Sequence, residues 1–107
     1  MTNRNDRWAK FSAEMYLNST DEGGLHLPMK SGFRTDVAYK DEIRICQITF
    51  EKDEASPGTS ELVEIQLWLH TDEEVEYFSN GNKCSILEST AIGTLSKLSL
   101  MEDELFK

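Results

Sequence analysis

Between Lys10 and Leu17 the chain reads KFSAEMYL, which puts Phe11, Ala13, Met15 and Leu17 on one face and Ser12, Glu14 and Tyr16 on the other. The stretch ELVEIQLWLH, ending at His70, repeats the pattern. Val63, Ile65, Leu67 and Leu69 face one way, while Glu64, Gln66, Trp68 and His70 face the other. A period of two is the pattern of a strand with one side on a core and the other in water. A helix would scatter the same residues around its circumference. These two strands need partners that share their apolar side, and this requirement constrains the fold more than any other feature.

Four further strands are expected, each bounded by turn residues. Phe33 to Tyr39 alternates Phe33, Val37 and Tyr39 against Arg34, Asp36 and Ala38. Ile43 to Phe50 is apolar on both faces, as in a strand that is buried on both sides or twisted. Asn82 to Glu88 and Ala91 to Leu98 form a hairpin about the Ser89-Thr90 link. No helix is predicted. The connection Glu51 to Ser60, EKDEASPGTS, reads as a mobile surface loop turning at Pro57-Gly58. Asn80-Gly81 supplies the backbone freedom for a second sharp turn. The tail SLMEDELFK reads as frayed or as a last helical turn.

Six short strands in 107 residues point to an antiparallel barrel or sandwich, and the fold expected is an all-β, six-stranded antiparallel β-barrel. Closure removes the unpaired edges that such a chain has no helix to cover. A single domain spans 1–107, with its core at about 9–98 and flanking tails at 1–8 and 99–107. No run approaches the ~20 apolar residues that span a bilayer, and the N-terminal MTNRNDRWAKF lacks the apolar stretch of a signal peptide. The expectation is a cytoplasmic protein without a membrane segment.

The 11 basic and 20 acidic residues give a net charge of −9, with the cations scattered singly. Such a surface repels phosphate backbones, and it serves either solubility or the attraction of a basic protein partner. Cys46 and Cys84 lie in strand-like apolar runs, where cysteine behaves as a small buried hydrophobe. They lack the spacing of a zinc site. His26 and His70 are the only histidines, and neither has a nucleophile and an acid beside it in sequence. Gly23-Gly24 is followed by neither the Gly-Lys-Ser/Thr run of a phosphate loop nor a predicted helix, so it is read as a device of backbone geometry. The acidic clusters at Asp53, Asp72 and Glu102 lack the spacing of a calcium loop. No catalytic residue, cofactor or metal is assigned. Tyr16 and Trp68, both on outward strand phases, either pack under a loop or are aromatic anchors of the kind that hold a protein partner.

The stretch KFSAEMYLNSTDEGGLHLPMKSGFR has a strand, an acidic-Gly-Gly-x-His-x-Pro run and a Gly-aromatic-Arg start to the next strand. In this it resembles the C-terminal β-barrel of elongation factor Tu, the translational GTPase that delivers aminoacyl-tRNA. The later VEIQLWLHTDEEVEYFSNGNKCSILESTAIGTLSKL is similar to that barrel's closing portion. The resemblance covers roughly residues 9 to 98. It implies the same barrel, with the Gly-Gly run as a long ordered loop between the first strands.

The departures concern RNA. An arginine that helps contact tRNA in the family is replaced by Leu25, although His26 is retained, and the family's Arg-Pro-Gln is here Arg34-Thr35-Asp36. Losing a cation and gaining a carboxylate both act against phosphate binding. No G-x-x-x-x-G-K-[ST] run is present, so the expectation is a free-standing barrel rather than a GTPase. The function expected is that of a non-enzymatic protein-binding module, an immunity or decoy protein being one version, which engages a basic protein. Tyr16, His26, Arg34 and Trp68 are its candidate partner-binding residues. The alternative is an RNA-binding or translation-associated accessory domain, using His26, Lys30 and Arg34 as a local basic patch.

Overall fold

In a computed structural model that describes residues 6–105, eight strands appear in chain order. They are β1 (Arg7–Leu17), β2 (Met29–Lys30), β3 (Phe33–Tyr39), β4 (Glu42–Thr49), β5 (Glu54–Ala55), β6 (Ser60–Leu69), β7 (Cys84–Glu88) and β8 (Thr90–Leu105). Six of them close a barrel in the order β1-β6-β4-β3-β7-β8, and β2 pairs with β5 as a separate ribbon. Every pairing is antiparallel. The all-β, six-stranded barrel expected from the alternation is therefore the fold of the chain.

The two strands with the cleanest alternation form the longest unbroken ladder, from Arg7 opposite Leu69 to Tyr16 opposite Ser60. Their inward residues, among them Phe11, Met15, Ile65 and Leu67, are completely buried and fill the barrel. β8 bends to close the cylinder. Its ladder with β1 slips between Ser12 and Glu14, and Lys97 takes φ 53° at the irregularity, the extra residue and added twist of a bulge. The hairpin between β7 and β8 turns at Ser89, φ 68°.

Several expectations are corrected. HTDEEVEYFSNGNK contains a helix, α1 (Asp72–Ser79), where none is predicted. Thr71 caps it by accepting from Glu74 N at 3.2 Å, and Gly81, φ 79°, turns the chain afterwards. The acidic tail continues β8 to Leu105, pairing with β1 back to Arg7. The strands thus run past both ends of the expected core. EKDEASPGTS is not wholly irregular, because Glu54 and Ala55 pair with Lys30 and Met29. Finally, β4 is not buried on both faces. Arg44, Cys46 and Ile48 point inward, whereas Ile43 and Ile45 are 54% and 45% exposed.

Both mouths of the barrel are stopped. Val75 and Phe78 of α1 close one, with Phe78 edge-on to Phe11 at 6.3 Å. Met29 and Ala55 of the β2–β5 ribbon are buried with the core at the other. Two ionic contacts tie α1 down: Arg7 to Asp72 (2.5 Å) and Arg44 to Glu74, with Arg7 also reaching Asp103 at 3.3 Å. Arg7, Arg44 and Glu74 are all buried. Burial pushes the Glu74 carboxyl up, but hydrogen bonds from Arg44 and Thr71, together with the Arg44 charge, outweigh it and hold the group below its ordinary range.

Cys46 and Cys84 are free thiols inside the barrel, as the sequence predicts of buried cysteines. Burial raises both, Cys84 to about 12 and Cys46 further. A thiol-specific disulfide reagent at mildly alkaline pH should modify neither in the native protein and both after denaturation, since the thiolate is the reacting species. Rapid native labelling would contradict this placement.

Candidate functional site

Antiparallel pairing sets outward residues of neighbouring strands side by side. On β1 and β6 it places Trp8 opposite Trp68, and their rings meet edge to face with centroids 5.0 Å apart. One residue beyond the last β4–β6 pair, Cys46 with Leu67, lies Ile45, so its exposed side chain continues this row. Ile43 follows on the same face. The next row runs Lys10, Gln66, Gln47, Arg34. From β3 the Arg34 side chain reaches back across the sheet until its guanidinium carbon lies 6.0 Å from the Trp8 ring centroid. The result is a half-exposed indole pair with exposed isoleucines beside it and a cation above it, on a sheet whose rigidity comes from the packed interior.

Of the four predicted partner-binding residues, the fold brings two together. Arg34 and Trp68 both contact Trp8. Tyr16 lies eight residues further along β1, about 26 Å away at strand spacing. Its hydroxyl is engaged locally, donating to Glu22 Oε1 at 2.6 Å. That bond raises the Tyr16 phenol and lowers Glu22. Glu22 also accepts from Ser19 N (2.9 Å), while Ser19 caps the 3₁₀ turn Thr20–Glu22. His26 is exposed in the following loop, beside a shallow apolar groove formed by Leu25, Leu27, Met29 and Phe33.

Trp8 and Ile45 were not expected at this face. Trp8 falls in the predicted N-terminal tail, yet the alternation extends back to it, with Arg7 and Ala9 inward and Trp8 outward. A buried arginine at an apolar phase hides that continuation. The Ile45 phase is readable only by knowing that Arg44 is the inward residue.

Among the described residues no group of three or more His, Cys, Asp or Glu side chains is arranged to hold a metal ion, and no helix is long and apolar enough to cross a membrane. His70 Nδ1 lies 2.8 Å from Asp6 Oδ1 at the end of β6. The two cysteines are inside the barrel, whereas His26 is on its surface. No family model matches the chain, and no curated protein matches it.

Proposed function

We propose that this chain is a non-enzymatic protein-binding module, on a barrel resembling the C-terminal barrel of elongation factor Tu, and that it engages a basic protein partner. An immunity or decoy role, in which the barrel stands in for a translation component, is the specific version of this reading. The observation that carries it is the Trp8–Trp68 pair on the outer sheet face, flanked by exposed Ile43 and Ile45. Indole and guanidinium groups beside apolar surface supply most of the energy of typical protein interfaces. The net charge of −9 steers a cationic partner toward the molecule, an attraction that weakens with salt.

The test is affinity capture from lysate at low salt, comparing the wild-type chain with Trp68→Ala and Trp8→Ala. A basic protein should be retained by the wild type and lost by about tenfold or more in either variant, the effect of removing a central aromatic anchor. Recovery of no partner, or equal recovery by all three chains, would sink the reading.

A second reading, RNA binding, is favoured by one observation: Lys10, Gln47, Gln66 and Arg34 flank the two indoles. Aromatic platforms edged by cations stack single-stranded bases. A gel shift with total tRNA at about 50 mM salt, where phosphate contacts are strongest, should show no complex if the protein-binding reading holds.

A further inference from the structure

At the barrel end remote from the indoles, β6 keeps one neighbour and loses the other. Ser60 to Val63 pair with β1, whereas the β4–β6 ladder stops at Thr49 opposite Glu64. There Phe50 leaves the sheet, its N–H donating to Ser31 Oγ at 3.0 Å. No strand among the described residues pairs with the second side of Ser60 to Val63. The phase of the β1–β6 ladder follows from Leu17 N donating to Thr59 O at 3.0 Å. Thr59, Glu61 and Val63 turn their main-chain groups to β1, and Ser60 and Leu62 turn theirs the other way. An open groove lies along this edge, walled by Phe50, Glu51 and Lys52 on one side and by Ser60 to Glu64 on the other. Leu62 is 80% exposed at its centre.

We propose that this groove binds an extended, lysine- or arginine-bearing peptide segment, which adds as a strand to the Ser60–Val63 edge. The proposal rests on the partner being basic, and it names where and how a segment of that partner docks. Strand addition supplies main-chain hydrogen bonds, and side chains flanking the edge supply selectivity. Here the flanking acids are Glu51, Glu61 and Glu64. One cation already occupies the position a ligand would take, since Lys52 Nζ lies 3.0 Å from Glu61 Oε1. Lys52 is 70% exposed, so a peptide ammonium exchanges with it at little cost. A second copy of this chain fits poorly, because edge-to-edge pairing would oppose glutamates to glutamates across the groove.

The probe is a synthetic peptide of about nine residues alternating lysine with valine and threonine, titrated into the labelled chain at about 50 mM salt and followed by amide shifts. The expected result is a set of shifts centred on Ser60, Leu62 and Glu51, with slowed exchange at the Leu62 amide and none of these effects from a glutamate-bearing counterpart. Leu62→Pro removes one edge donor while leaving the β1 ladder intact, and Glu61→Lys with Glu64→Lys reverses the flanking charge. Each should weaken binding about tenfold or more with the thermal transition retained. Shifts confined to Trp8 and Trp68, unchanged affinity in both variants, or self-association on this edge would overturn the groove assignment while leaving a basic partner in place. Equal affinity for the glutamate peptide, or no binding at any site, would overturn the groove and the basic-partner reading together.

Discussion

Replacing Glu74 with alanine is expected to destabilise the barrel by about 3–5 kcal/mol, the cost of breaking a buried ion pair whose arginine is left with the exposed Glu42 carboxylate 3.7 Å away. Arg44 points inward from β4, with its guanidinium carbon 4.8 Å from the Tyr39 ring centroid, and donates to Glu74 on α1. Both side chains are less than a tenth exposed. The carboxylate also accepts from Thr71 Oγ1 at 3.0 Å, so the substitution removes part of the helix cap as well. In a domain of this size the loss corresponds to a fall in Tm on the order of 10–20 °C. Arg44→Met paired with Glu74→Leu removes both charges and should recover much of it. A single alanine variant melting within a degree or two of the wild type would show that the pair contributes nothing.

The same pair predicts the direction of acid sensitivity. The folded-state pKa of Glu74 is lowered, so its contribution is present above the unfolded value of about 4.3 and is lost as pH falls through the lower folded value. Denaturant midpoints measured through that window should fall for the wild type and fall less steeply for Glu74→Gln.

Gly24→Ala should cost about 3 kcal/mol, the upper range for forcing atoms into occupied space, whereas Gly23→Ala should cost about 1–2 kcal/mol. The two glycines are adjacent but serve different needs. Gly23 ends the 3₁₀ turn at φ 87°, with open space around the missing side chain. At Gly24 a methyl carbon would lie 2.1 Å from the carbonyl oxygen of Asn18 and 2.8 Å from that of Ser19. Since Gly24 N also donates to Ser19 O at 2.9 Å, neither backbone can retreat without breaking the turn. Denaturant melts of the two variants decide the order, and a Gly23 variant less stable than the Gly24 variant would contradict these separate roles.

The Gly-Gly run was legible as a backbone device, and its physical basis is two distinct requirements rather than one. The alternation in KFSAEMYL and ELVEIQLWLH was likewise sufficient to assign inward and outward residues, because each strand keeps one face on the core for its whole length. α1 had a readable mark, Thr71 followed three residues later by Glu74, which is a capping signature. Its eight residues are too short for periodicity to show, and Asn80-Gly81, which ends the helix, reads equally well as a hairpin turn. The exposed isoleucines of β4 were misplaced for a related reason. An arginine inward and isoleucines outward invert the usual code, and the Glu74 carboxylate on α1, with the Ile43 carbonyl and the Tyr39 ring, gives the buried guanidinium its partners.

Local patterning in this chain determined that strands form and which face of β1 and β6 is buried, because both follow from matching apolar surface to a pleat of period two. The tertiary structure alone decided which outward residues share a surface. Trp8 and Trp68 are separated by more than half of the chain, and they meet because β1 and β6 align Arg7 with Leu69. The same register leaves the start of β6 without a second neighbour once β4 turns away, so the indole face and the open edge both originate in strand order, which sequence spacing does not encode.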